Sequence, residues 1–368
     1  MSSLTIAVSG INSIDNPGAG IGIIRSLKEA NPDFQCIGLS YDAMDPGLYL
    51  DQYVDRAYLL PYPSASREKY LERLFYVCEK EKVDVIIPAF DSELPHYIQN
   101  RGMLDERNIR LLLPTRAQFE RTQKVNLPAL GERLGLRVPV TRAVTTLEEL
   151  NAALDFVGLP AMIKGVFYEA YCAHSFFDAH HYFHRMAVKW GFPVLVQQYV
   201  SGHDFNLVGL AGRGGTNLGL VPIKKLLLTQ LGKIWTAITI DNPQMVEVGK
   251  RFVEETHFTG GFELEFRMTE SEELYLLEIN PRFPAWVYLA TAAGMNLPMR
   301  YVSNVTKGEY EYGQEYEVGK MLVRYTGELI RDLSHLEFIT INGEKSPPSL
   351  PSPLEGEGWV GGRRSMVL

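Results

Sequence analysis

Cysteine is scarce in this chain. Cys36, Cys78 and Cys172 stand far apart and form no C-x-x-C pair. That argues against a disulfide framework or a cysteine-rich zinc site, and the three read as reduced thiols filling small core positions in a cytoplasm. Positive charge is in the minority, with 36 Lys and Arg against 44 Asp and Glu. A general nucleic-acid binder needs a basic face to neutralise phosphates, so that class is disfavoured. No apolar run approaches the roughly 18 residues of a membrane span, and MSSLTIAVSG lacks the basic and apolar regions of a secretory signal. A soluble, cytoplasmic protein without a membrane or nucleic-acid partner is expected.

What is present is ample apolar residue, 46% of 368, enough for two or three domains with full-sized cores. LTIAVSG, FQCIGLS, RAYLLP, VDVIIPAF and IRLLLP read as strands. They alternate with the helical patterns IGIIRSLKEA and SREKYLERLFYVCEKEK, which predicts an open parallel, Rossmann-like sheet over residues 1–114. TRAQFERTQKVNLPALGERLGL reads as a helix pair leading out of it. The pattern then changes to PAMIKG, PVLVQQYV, DFNLVGLAG, TNLGLVPIKKLLL, KIWTAITI, GGFELEFRM and LYLLEIN, strands with hairpin-like spacing. The fold class is thus α/β followed by α+β with antiparallel sheets. The divisions are 1–114, 115–190, 191–342 and a Pro/Gly/Ser-rich tail, 343–368, expected to be disordered, with the part from about Pro347 to Leu368 dispensable.

NPGAGIGIIRSL follows a strand and opens a helix, as a dinucleotide fingerprint does. Its glycines fall at Gly18, Gly20 and Gly22, whereas the fingerprint's third would fall at Ile23. A tight backbone approach is the favoured reading and NAD(P) binding is not expected, even with Asp42 available as the acidic partner. Loops at the carboxyl ends of parallel strands face the ligand crevice, which makes Gly18 and Gly20 substrate candidates. Asp91 and Glu93 end another such strand and are candidates for a substrate amino group. Helix capping by Asp91 or Ser92 reads equally well.

The stretch LYLLEINPRF raises the chemical question. Strand side chains alternate, so Glu278, Asn280 and Arg282 share one face. In GGFELEFRM, Glu263 and Glu265 share one as well. TESEE is a hairpin-sized link, so the two strands should pair antiparallel with Glu265 beside Glu278. Taken alone, Glu263 and Glu265 read more readily as a solvated strand face. The polar row at the end of a buried strand reads as a site: two carboxylates and an amide suit Mg²⁺ shared with phosphate, and Arg282 adds a bidentate grip on an anion. His180, His181 and His184 in AHHYFHRM are a weaker metal candidate and read as exposed helix positions.

This pair of strands ending in E-x-N-P-R resembles the ATP-grasp superfamily, in particular the branch containing biotin carboxylase, carbamoyl phosphate synthetase and amino-acid ligases. The resemblance covers residues 1–330 in the family's domain order and implies a two-subdomain grasp fold. It implies Mg²⁺ (or Mn²⁺) on Glu265, Glu278 and Asn280, and Arg282 facing the transferred phosphate. Lys124 and Lys164 match the phosphate-binding lysines. Gln197, Gln198, Tyr199 and Val200 match the adenine hinge, and Asp204 the ribose position. Lys224 or Lys225 would add a phosphate contact, Lys225 being taken for the nucleotide set.

The sequence departs from the family after Lys164, where GVFYEAYCAHS replaces a Gly/Ser-rich loop. Gln197 and Gln198 replace a frequent glutamate and lysine. Pro284, Ala285 and Trp286 put bulk beside the acceptor, so Trp286 is a substrate candidate. The implied activity is ATP-dependent ligation of a small-molecule carboxylate to an amine, free or in a peptide, through an acyl phosphate. Carboxylation through carboxyphosphate and nucleotide-binding regulation without turnover are the alternatives. A homodimer is compatible with the family.

Overall fold

The computed structural model describes residues 4–345 apart from 15, 166–168, 230–231 and 309–312. Among the described residues the strands form three sheets. The first comprises β1 (Thr5–Val8), β2 (Gln35–Ser40), β3 (Arg56–Leu59) and β4 (Val85–Ile87). It is parallel and ordered β3-β2-β1-β4. Because β1 has β2 on one side and β4 on the other, the strand order reverses between β1 and β4. That crevice is where open α/β sheets take ligands. Segments carrying Gly18 and Asp91 follow these two strands.

The helix Gly20–Ala30 follows β1, and the helix Arg67–Glu81 begins where the Ser66 side chain accepts from Lys69 N–H. The expected strand IRLLLP is reduced to a single bridge, Val85 to Arg110. Leu111, Leu112 and Leu113 are buried, but the Leu112 N–H donates to the Tyr301 hydroxyl at 2.8 Å instead of to a ladder. An apolar run was read as a strand when a side chain had taken its backbone donor.

Gly18 and Gly20 have a packing reason. A Cβ on Gly18 would stand 2.3 Å from Gly10 O, and one on Gly20 2.3 Å from Ser9 O. Both positions need hydrogen there so that the helix can start against the end of β1.

The small sheet contains β5 (Thr141–Val144), β6 (Ala161–Lys164), β7 (Ala170–Ala173) and β8 (Val194–Gln198), in the order β5-β8-β6-β7. Two helices cover it, Leu147–Val157 and Phe176–Trp190. Each starts with a reciprocal capping box, Thr146 with Glu149 and Ser175 with Asp178. The sequence division at 190/191 put PVLVQQYV in the larger unit. The register puts it between β5 and β6 (Ile163 opposite Val196, Ala143 opposite Leu195). The segment after Lys164 also differs from expectation. Ala170–Ala173 is a strand paired with β6; residues 166–168 of that segment lie outside the described residues.

The large sheet runs β13-β12-β9-β10-β11-β14, antiparallel, from β9 (His203–Ala211), β10 (Asn217–Leu228), β11 (Ile234–Thr239), β12 (Gly260–Met268), β13 (Leu274–Asn280) and β14 (Met321–Val323). One face packs on the helix Pro243–Thr256, with Phe252, Phe258 and Phe262 in mutual ring contact. The other face shares a core with the N-terminal sheet: Ile6, Val8 and Ile87 lie in one cluster with Val208, Leu210, Trp286 and Tyr301. The small sheet has a core of its own around Leu150, Ile163, Phe183 and Val196.

The tail begins later than the sequence suggested. Gly343 O accepts from Leu59 N–H and Arg73, and Glu344 bridges to Tyr58. Residues 346–368, the rest of the expected disordered tail, lie outside the described residues.

Phe262 is fully buried and meets Phe252 in a tilted ring contact, with centroids 4.9 Å apart. Phe262→Ala is expected to cost about 3–5 kcal/mol, the transfer loss plus an unfilled cavity. Urea unfolding measures it; a loss below about 1 kcal/mol would contradict this account of the core.

Candidate active site

Alternation on β12 and β13 builds the acidic face. The register sets Glu263 opposite Asn280 and Glu265 opposite Glu278 after a one-residue shift between Glu265 and Phe266; the unshifted hairpin, with Met268 opposite Leu274, would set Glu265 opposite Leu277. Glu263, which read as solvated, is 4% exposed. It accepts from Trp286 Nε1 at 2.7 Å, Asn280 Nδ2 at 3.0 Å, Arg282 Nη1 at 3.4 Å and Asn206 Nδ2. Burial first, then the charge of Glu265, pushes its carboxyl above the ordinary range. Glu265 goes the other way. Burial opposes its ionisation, but Lys225, 2.9 Å from Oε2, outweighs that and holds it at about 2. On the same row, Glu278 Oε1 lies 3.3 Å from Lys124 Nζ. Lys225 thus faces the site, while Lys224 lies over the Phe205 ring.

Both carboxylates are therefore already matched by an ammonium, and the donor atoms of Glu265, Glu278 and Asn280 include only oxygens able to ligate. That is a hard-cation set. Among the described residues no three His, Cys, Asp or Glu converge on one point; an ion held here would need phosphate and water oxygens to complete its sphere, as Mg²⁺ accepts. The residues fit Mg²⁺ in that partial sense. His180 bonds to Asn151 at 2.8 Å, and His181 and His184 are exposed.

Lys164 ends β6. Burial, above all, lowers its pKa to about 8, partly offset by Glu278. In the hinge, Gln197 is buried and donates to Thr141 Oγ1 at 2.9 Å, and Gln198 Oε1 accepts from Val140 N–H at 3.3 Å. Tyr199 is partly exposed. Arg267, which sequence reading passed over, organises this end. It donates to Val200 O at 3.0 Å, bonds Asp204 Oδ1 through Nε (3.0 Å) and Nη2 (2.7 Å), and lies over the Tyr199 ring. Both bonds to Asp204 use Oδ1, so Oδ2 has no partner among the described residues. A signal was available: Arg267 is two residues past Glu265, on the same face by alternation.

A cavity of about 450 Å³ adjoins the acidic face, ample for a small-molecule ligand. Gly18, Asp91, Lys225, Glu263, Glu265, Arg282, Trp286 and Arg324 line it. Asp91 Oδ1 lies 3.6 Å from Arg282 Nε, and burial raises the Asp91 pKa in spite of Arg282. Glu93 is a correction. It is fully buried and turned away from the cleft, accepting from Ser9 Oγ at 2.6 Å and from the Tyr41 hydroxyl, so a substrate amino group does not reach it. Burial raises its pKa to about 7. Gly20 is covered by Ser9 and Gly10 and does not line the cavity, whereas Gly18 does.

The depressed pKa of Lys164 sets a sign. The folded value lies below the unfolded one near 10.5, so between about pH 8 and 10.5 the unfolded chain holds more protons and this group adds stability as pH rises. Its charge, and with it any grip on phosphate, is lost over the same interval. ADP affinity is expected to weaken as pH passes about 8, and Lys164→Arg to flatten that change. Calorimetric titration at pH 7, 8 and 9 checks this; identical profiles for the two proteins would place Lys164 away from the nucleotide.

Residues 192–326 match the family model described as ATP-grasp in the biosynthetic pathway with Ter operon. The carbamoyl phosphate synthase large chain of Pyrococcus furiosus is 23% identical over 312 residues, covering 77% of this chain and 28% of that protein. The chain thus spans little more than a quarter of that curated relative. Among solved structures, the L-amino acid ligase from Bacillus licheniformis superposes with a TM-score of 0.63 at 16% identity, over 82% of this chain and 74% of the ligase. Biotin carboxylase from Campylobacter jejuni, solved as a β,γ-ATP complex, gives 0.65 at 15% identity, over 86% and 74%. Residues 192–326 are an ATP-grasp domain, carried in a chain whose parallel sheet and two antiparallel sheets have the fold of the ATP-grasp enzymes.

Proposed function

We propose that this chain is an ATP-dependent carboxylate–amine ligase working through an acyl phosphate. The observation that carries the reading is the opposition of Glu265 to Glu278 across β12 and β13, with Asn280 opposite Glu263 and Arg282 just beyond the strand, 3.4 Å from Glu263. Each carboxylate is balanced by a lysine, and Glu265 and Lys225 line the cavity of about 450 Å³. The family description, which places its members in a biosynthetic pathway, and the fold likeness to an amino-acid ligase support it.

In this reading Lys164 and Lys124 grip the phosphates and the hinge Gln197–Val200 receives the base. Asp204, through Oδ2, takes the ribose. Bound by Glu265, Glu278 and Asn280, Mg²⁺ would supply charge neutralisation on the phosphate oxygens. Arg282, fixed between Asp91 and Glu263, orients the substrate carboxylate toward the γ-phosphorus. A carboxylate oxygen attacks that phosphorus and ADP leaves. The amine nitrogen then attacks the acyl carbon, inorganic phosphate leaves, and the nitrogen loses its proton. The residues position and neutralise, which is the main source of catalysis in phosphoryl transfer. Trp286 and the Pro284–Ala285 segment limit the acceptor side.

Phosphate release from ATP and Mg²⁺, screened over amino acids and short peptides, is the direct assay. Glu278→Gln is expected to lower turnover on the order of 100-fold or more while leaving metal-free nucleotide binding intact. Near-normal turnover in that variant would remove Glu278 from the metal set. Release that depends on bicarbonate rather than on an amine would redirect the reading to a carboxylase, and nucleotide binding with no release under any condition to a regulatory binder.

A further inference from the structure

Most cations around this cleft have a carboxylate: Lys124 has Glu278, Lys225 has Glu265, Arg267 has Asp204, and Arg282 has Asp91 and Glu263. Lys233 is exposed. Two partly buried cations that reach this cleft, setting aside Lys224 over the Phe205 ring, have no carboxylate within ion-pair distance among the described residues. One is Lys164, which the proposed nucleotide site uses. The other is Arg324, which directly follows β14 and lines the cavity beside Arg282 and Trp286.

Arg324 is held in place by neutral groups. Its Nε donates to Ile234 O at 2.9 Å and its Nη2 to Ala285 O at 3.0 Å. Its backbone N–H donates to Trp235 O at 2.9 Å. Two carbonyls, one from β11 and one three residues past Arg282, therefore fix the plane of the guanidinium. Nη1 has no partner among the described residues. Carbonyl dipoles orient a guanidinium but do not cancel its charge, and a desolvated charge left unmatched is costly. Burial alone drives its pKa down, yet an arginine stays charged and cannot relieve the cost by losing a proton. A guanidinium fixed at Nε and Nη2, with Nη1 left over in a residue that lines a cavity, suits a carboxylate.

We infer that Arg324 holds a substrate carboxylate other than the one that is phosphorylated. It belongs either to a donor with two carboxylates or to an amino-acid acceptor. The inference rests on the ligase reading for the word substrate, but the anion site stands on its own geometry. It narrows the substrate class: a simple monocarboxylic acid joined to a simple amine would leave Arg324 unmatched, whereas a diacid donor or an amino-acid acceptor would not.

Two pairs of probes separate the sources. Succinate against propionate tests the donor, and L-alanine against ethylamine tests the acceptor. Each is titrated by calorimetry into the full chain with ADP and Mg²⁺ present. Wild type is expected to bind the carboxylate-richer member of one pair at least about tenfold more tightly, the scale of a charge-assisted bond. Arg324→Gln should erase that difference and leave the poorer member unchanged; Arg324→Lys, which keeps the charge without the fork, should retain part of it. If Arg324→Gln does not fold, Arg324→Lys carries the test through the same narrowing. Equal weakening of both members, an undiminished difference in the variants, or no difference in wild type for either pair would each overturn the inference. A binding difference in a protein that releases no phosphate from ATP would overturn the ligase reading and leave the carboxylate site standing.

Discussion

The site depends on keeping one carboxylate, that of Glu263, out of water. Four donors from three parts of the chain surround it: Asn206 on β9, Asn280 on β13, and Arg282 and Trp286 on the segment beyond. A buried carboxylate is tolerable when its lone pairs are filled, and the geometry that fills them is then strongly specified. Satisfying Glu263 therefore fixes the direction of Arg282, seats Trp286 against the cavity wall, and holds the amide of Asn280 beside Glu265, 3.0 Å from its Oε1. The residues proposed to meet the reacting groups are positioned from behind by one that need touch neither substrate.

A second layer of order is electrostatic. The cleft gathers many ionisable groups in a small volume, and nearly all are paired across elements: Lys124, from the segment before the small sheet, with Glu278; Lys225 on β10 with Glu265 on β12; Asp204 on β9 with Arg267 on β12. Such pairs carry little net stability once desolvation is counted. Their value lies in registry, since each can form only when separate strands are in their correct relative positions. The contrast between Glu265, held at about 2, and Glu263, pushed upward, shows one row of a strand giving two carboxylates different roles through their neighbours.

Much of this was legible in the sequence, for reasons that differ by element. The antiparallel pairing of β12 with β13 follows from a five-residue link, but the meeting of Glu265 and Glu278 also needs a one-residue register shift that local spacing does not contain. The parallel N-terminal sheet followed from strand–helix alternation. Long-range pairing was not legible. Val194–Gln198 joins strands more than thirty residues upstream, and nothing in its composition says which sheet will take it. Glu93 looked like Asp91 in the sequence, two residues apart at a strand end. One lines the cavity and the other faces Ser9 and Tyr41 because the chain turns between them into the helix Leu94–Gln99. Arg324 had no signal at all, since β14 is three residues long and carries no motif.

The N-terminal sheet and the large sheet share one continuous apolar core, while the small sheet with its two helices encloses another. Cooperativity follows contiguous packing, so the chain should consist of two cooperative units of unequal size, although three sheets are present. Residues 141–198 can then lose amide-exchange protection in concert while β1, β9 and β12 keep theirs. A single unfolding free energy would not be a defined property of the molecule. The opening of the smaller unit, measured by native-state hydrogen exchange, would be a distinct quantity. Any ligand bridging Lys164 and Glu278 would close the gap between the two, because it would bind across the boundary between the cores and resist the separation of one from the other.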